Sequence, residues 1–321
     1  MLFRLAPSFT GRLDVAGFAA TLVWAVNYPH FAATSYRLYR SRETIRQFPV
    51  TAVGVPLMLV GAAAAALVSP TDFAPWLVKI FLLWSPYHYA GQAIGLTLMY
   101  ARRCHWVISR SFRALLIGTL LATFVTATSR YEVVGARTPF FGVDAPSLGV
   151  PAWVYPTSRL VMWVLAAACG LSLAASAFRR RRIPPVAMLI PVLAQFLWLI
   201  ANSPGAYALL VPAFHSLQYL YVGWVVQLAV RPQRLAGRAP LISLTGASAW
   251  WFAVNVVGGV GLFWLLPRVG TIGGASLGVA TAIMLTVVQI HHFFVDGVIW
   301  KLSASDGRSA LTATVRDAVA R

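Results

Sequence analysis

Five of the six histidines in this 321-residue chain fall inside apolar runs: His30 in NYPHFAAT, His88 in SPYHYAGQ, His215 in PAFHSLQYLY, and His291 and His292 in QIHHFFVDGVIWK. The sixth, His105, sits among arginines in RRCHW. Polar side chains in hydrocarbon are costly unless something satisfies them. One such histidine is accounted for by an interhelical hydrogen bond worth about 0.6–2 kcal/mol. Five on four segments call for another account. Neutral imidazole is the commonest metal ligand and suits iron, zinc and copper, so His30, His88, His215, His291 and His292 are candidate metal ligands. Adjacent helical positions diverge by about 100°, so only one of His291 and His292 need be a ligand. Asp296 follows His292 by four residues and shares its helix face. It is expected to accept the second N–H of a ligand imidazole, or else to cap the helix or pair with an arginine near its end. Asp296, Tyr219 and Gln218 are the candidate catalytic side chains, with Asn27, Gln92 and Gln289 as further polar neighbours.

Three prolines, Pro29, Pro86 and Pro212, precede histidines by one to three residues. Proline in a spanning helix frees a carbonyl and bends the axis, which is tolerated where the freed group lines protein or water. The elements carrying these motifs follow from composition. Hydrophobic residues make up 59% of the chain and charged residues 11%, against about 25% charged in soluble domains. That composition predicts an all-α, polytopic membrane bundle. Spanning helices of about 20 residues are expected near 14–36, 50–69, 74–100, 113–128, 157–178, 184–201, 205–230, 241–267 and 273–300. The fourth is short and the sixth and seventh lie close, so the count is eight to ten. Residues 1–301 are read as one transmembrane domain and 302–321 as a short tail. The first segment lacks a clean cleavage site and is read as a retained helix.

The net charge of +18 does not form a phosphate-binding face, and nucleic acid is excluded as a partner. Its arginines cluster between apolar runs: Arg37–Arg46, Arg102–Arg113, Arg179–Arg182, Arg231–Arg238 and Lys301 onward. The positive-inside rule puts these clusters and the C-terminus in the cytoplasm and the 129–156 loop outside. Arg179–Arg182 is read as a topology anchor rather than a lipid-headgroup site. Cys104 and Cys169 have no disulfide or metal spacing. Counted at about 1.5 Å per residue from these arginines, His30 lies ~10 Å deep and His215 ~24 Å. Helix tilt must close that spread, or there are two sites.

PHFAAT, YHYAGQ, FHSLQY and IHHFFVD, in this order, resemble the motifs of the Brp/Blh family, bacterial membrane β-carotene-cleaving dioxygenases that depend on iron. The family similarly has a PH pair in an early helix, aromatic-rich histidine motifs later, and a late histidine followed five residues on by aspartate, as His291 is by Asp296. The resemblance implies Fe(II) held by histidines, with dioxygen and a carotenoid-like substrate. The chain departs from the pattern at Thr34 and after Gln92, where the family has acidic residues, and at Tyr219, where it has a second histidine. A four-histidine site would then recruit His291 or His292.

The expected activity is that of a non-haem iron oxygenase or oxidoreductase, with Fe(II) first among metals, another transition metal second and haem third. Its partners would be dioxygen, bilayer lipid and a lipophilic substrate lined by Tyr28, Phe31, Tyr87, Tyr89, Phe214, Phe293 and Phe294. Two other classes are weighed: a proton-coupled transporter or channel relaying through histidine and Asp296, and a b-type haem protein, since CxxCH is absent.

Overall fold

A computed structural model describes residues 21–134, 139–200, 204–229 and 240–299. Residues 14–20 of the first expected segment, Arg231–Arg238 and the tail from Lys301 lie outside them. Among the described residues the chain is helical, with no strand. The helices are α1 (Tyr28–Tyr39), α2 (Arg42–Gln47), α3 (Val55–Val68), α4 (Phe73–Arg103), α5 (Arg110–Val133), α6 (Val154–Arg180), α7 (Val186–Ile200), α8 (Pro204–Ala229), α9 (Pro240–Val260), α10 (Leu266–Gly270) and α11 (Leu277–Ile299). Each expected segment contains helix among its described residues. Among the described residues five stretches, Val50–Val68, Arg110–Val133, Val154–Arg180, Leu244–Gly270 and Leu277–Ile299, are long and apolar enough to cross a membrane.

Three π-helical turns interrupt the α-geometry: Val23–Asn27, Val50–Gly54 and Gly261–Leu265. Each runs directly into a helix with proline at its second position, Pro29, Pro56 and Pro267. A proline ring clashes with the carbonyl four residues back and cannot bond to it. In all three cases that carbonyl belongs to the middle residue of the π turn, Ala25, Ala52 or Phe263. Widening the turn by one residue relieves the clash. The Ala52 carbonyl is repaid by the Tyr39 hydroxyl, which donates to it at 3.0 Å. Buried backbone groups need such partners.

The chain divides into two compact units, with the divisions falling inside α4 and α8. The first is drawn from Met1–Val78, Phe141–Val143 and Pro212–Arg321. Here α11 is the most buried helix, with Ala280, Ile283, Thr286, Val287, Ile290, His292 and Val295 all inward. Leu38 and Ala52 pack on Val295 and Ile299, and Phe31 packs on Phe263 and Val288. Helix α9 approaches α1 backbone to backbone. A Cβ on Gly259 would stand 2.8 Å from the Tyr28 carbonyl carbon, and one on Gly258 2.9 Å from Ala32 Cβ. Only glycine permits that approach, at the turn that carries His30. Gly259→Ala is therefore expected to cost about 1–3 kcal/mol by overpacking. Gly246→Ala on the same helix, where a Cβ meets nothing within 4 Å, is expected to be neutral or better. Thermal unfolding of the two variants checks the contrast.

The second unit, Lys79–Phe140 and Asp144–Val211, is built on the α5–α6 pair. Leu116, Leu120 and Cys169 form its centre with Ala93 and Phe112, and Gln195 donates to Thr123 at 3.0 Å to bring in α7. Ser109 caps α5 by accepting from the Phe112 N–H at 3.1 Å. The helix expected at 113–128 extends to Val133, five residues into the stretch read as an external loop. Its polar end is held in place. Ser129 bonds Ser158 at 3.0 Å, and the Glu132 carboxylate pairs with the Lys79 ammonium, the side chains 1% and 3% exposed. The other Glu132 oxygen accepts from the Leu148 N–H at 3.0 Å. A carboxylate assigned by sequence to the loop is thus buried in a helix.

Candidate metal centre

In the first unit α1, α8 and α11 each bring one histidine to a common point. His30 and His292 are 1% exposed and His215 6%. Each offers a ring nitrogen within 4.8 Å of those of the other two. The rings meet nearly edge to face, with centroids 4.4 Å apart for His30 and His292, 5.0 Å for His30 and His215, and 6.2 Å for His215 and His292. A buried cluster of this kind could hold a metal ion.

The hydrogen bonds around the cluster assign its tautomers. Thr34, one turn along α1 from His30, donates its hydroxyl proton to the His30 carbonyl at 3.2 Å. Its oxygen stands 2.9 Å from His292 Nδ1 and, with its proton committed, accepts from that nitrogen. Ser216 donates to Asn27 Oδ1 at 2.8 Å and lies 3.1 Å from His30 Nδ1, which also faces the Asn27 carbonyl at 3.3 Å. His30 Nδ1 therefore carries a proton too. Both remaining nitrogens are Nε2, and they face one another at 3.1 Å. Two neutral imidazoles in these tautomers would point lone pair at lone pair, and either a proton shared along the contact or a cation between them removes the repulsion. With metal–nitrogen bonds of about 2.0–2.1 Å, two neighbouring ligand nitrogens stand about 3.0–3.4 Å apart, so the observed spacing fits two ligands of one ion.

The Asp296 carboxylate lies 3.4 Å from His292 Nε2, on the metal-facing nitrogen. Asp296 thus stands beside the imidazole expected as its partner, and Thr34 holds the other ring nitrogen, Nδ1. Tyr219 is buried, its ring 4.9 Å from His30 and 5.7 Å from His292; Gln218 beside it is half-buried. His291 diverges from His292, as helix geometry requires: its Nε2 meets the Tyr39 hydroxyl at 3.2 Å and the two rings stack. His88 belongs to the second unit, on α4, half-buried with its ring 6.0 Å from that of Tyr89. Among the aromatics expected to line a substrate space, Tyr28 stacks on Phe263 at 4.2 Å and Phe31 packs against His292 at 4.9 Å. These two form a wall behind the cluster. Phe214 and Tyr87 are exposed, at 40% and 52%.

Sequence reading passed over Thr34 and Ser216 as holders of the imidazoles, and Phe263. The four-residue spacing from His30 to Thr34 was the available signal; Ser216 and Phe263 had none. Comparison with protein-family models, with curated proteins and with solved structures finds no match to this chain.

Proposed function

We propose that this protein is an integral-membrane, histidine-ligated metal enzyme, an oxidoreductase of the oxygenase type acting on a lipophilic substrate. The observation that carries the reading is the pair of Nε2 atoms facing each other at 3.1 Å with both Nδ1 protons committed elsewhere. His30, His215 and His292 would hold the ion, and Fe(II) is the metal we favour for it. An all-nitrogen set leaves the ion's charge largely uncompensated, and when bound it would supply Lewis acidity and dioxygen reduction. Thr34 and Ser216 orient the rings and keep their tautomers fixed, the usual task of groups behind a ligand imidazole. Asp296, beside the ligating face, is placed to take or return a proton at its carboxylate. The Tyr28, Phe31 and Phe263 wall keeps bulk water from that side.

A porphyrin ligated on both faces would have to part His30 from His292, so the packing of the three rings speaks against haem. The proton-relay reading has one observation in its favour: a shared proton would also relieve the facing nitrogens, and Asp296 at 3.4 Å could exchange it. Metal content separates the two. Detergent-purified protein is expected to carry about one equivalent of iron per chain and no Soret band, and aerobic expression in carotenoid-producing cells is expected to bleach them. Metal-free protein from iron-replete cells would overturn the metal reading; unchanged pigment would remove carotenoid alone.

A further inference from the structure

We propose that the arginine-rich end of the second unit is a binding site for the phosphate of an anionic phospholipid. The site is independent of the metal cluster. Two connections meet here, Cys104–Ser109 between α4 and α5 and Arg181–Pro185 between α6 and α7. They are fastened to each other. Arg182 donates to the Cys104 carbonyl at 3.1 Å, and the Arg180 guanidinium lies over the Trp106 ring at 5.1 Å. Trp106 is buried with Ala101 and Met188, binding the end of α4 to the start of α7. His105 and Arg181 both adopt left-handed backbone, φ 52° each, a conformation that non-glycine residues rarely take. Two tight, pinned turns therefore hold the surrounding arginines in a fixed arrangement.

Two of the four arginines of the Arg179–Arg182 run are occupied in fastening the turns. Arg102, Arg110, Arg113, Arg179 and Arg181 are exposed around them, and Arg103 is half-buried. This unit has few carboxylates to balance them: Glu132 and Asp144 are the only acidic residues of Lys79–Phe140 and Asp144–Val211, and Glu132 is paired at the opposite end of α5. A simple topology anchor needs charge but no pinned turns. The surroundings select the source of the anion. Phe178, Ile183 and Val107 flank the cluster at 86%, 84% and 67% exposure, so a ligand here meets apolar side chains as well as guanidinium. A phosphodiester with acyl chains matches both; free phosphate matches only the charge. Guanidinium forks suit phosphate oxygens bidentately.

The protein, purified in neutral detergent at about 0.15 M salt, would be titrated with phosphatidylglycerol or phosphatidylcholine while thermal unfolding is followed. Phosphatidylglycerol is expected to raise the midpoint by about 3 °C or more, and phosphatidylcholine to leave it in place. Arg102→Gln/Arg110→Gln/Arg179→Gln is expected to lose the rise, while Arg42→Gln/Arg46→Gln on α2 keeps it. If the triple variant fails to fold, each single replacement is expected to weaken phosphatidylglycerol binding about fivefold. Equal responses to the two lipids, a full rise in the triple variant or in all the singles, loss of the rise in the α2 variant, or the same rise with inorganic phosphate would each overturn the proposal.

Discussion

His292→Ala and His30→Ala are each expected to reduce bound metal from about one equivalent to a trace, while His291→Ala retains it. Removing either partner of the facing Nε2 pair abolishes the arrangement that calls for a cation, and two imidazoles do not hold an ion as three do. His291 differs because its Nε2 is turned to Tyr39 at 3.2 Å, so its loss leaves the cluster whole. Thr34→Val is expected to fall between these extremes. It keeps the shape of the side chain but removes the oxygen at 2.9 Å from His292 Nδ1, and metal affinity should drop about 10–100-fold. Thr34→Ser should restore most of it. Elemental analysis after dialysis against a graded chelator reads all five variants. Equal metal content in the His291, His292 and His30 variants would dismiss the cluster as a metal centre and leave it a packing motif.

The second large effect is on stability. Glu132→Ala and Lys79→Ala are each expected to destabilise the protein by about 3–5 kcal/mol, because each leaves the opposite charge buried without its partner. Replacing both, Lys79→Met with Glu132→Leu, should recover most of the loss, since the pair's own desolvation is removed with it. Full recovery is not expected. The Leu148 N–H, which bonds Glu132 at 3.0 Å, would then turn to water, since Leu148 is exposed, at a loss of about 0.5–1.5 kcal/mol. Unfolding titrations of the two single variants and the double variant give the coupling directly. Single losses below about 1 kcal/mol would mean that the charges reach water.

Much of the helical layout was legible in the sequence because apolar runs of about 20 residues have few alternatives to a helix. What escaped was local chemistry that breaks the pattern. The stretch Ser129–Val133 reads as loop by polarity, yet it is helical because Ser158 and Lys79, far along the chain, supply partners. Such pairings leave no periodic trace. At the candidate centre, the histidines stood out by residue type. Their grouping did not, because depth counted from the nearest arginines separates His30 from His215 by about 14 Å, whereas their rings lie 5.0 Å apart. Depth counted along the sequence is therefore a poor guide to which histidines meet. Thr34 and Ser216 were invisible for a different reason. Hydroxyls on helices are common and usually bond their own backbone, and only the rings placed against them give these two a role. Thr34 stands against the His292 imidazole and Tyr219 against that of His30.

The π turn Val23–Asn27 has a bearing on how the first helix could have diverged. A π turn holds one residue more than an α turn, so it behaves as a single-residue insertion absorbed without a break. Thr21 and Leu22 ahead of it are turned by about 100° against the residues after it. The stretch ahead of Pro29 and the stretch carrying His30 and Thr34 are thus out of phase. Deleting one residue from Val23–Asn27 would swing the upstream side chains to a new azimuth while His30 stayed anchored by the glycines of α9. Lineages can therefore re-face the side chains at the start of this helix by single-codon gains and losses, and leave the chemistry at His30 and Thr34 untouched.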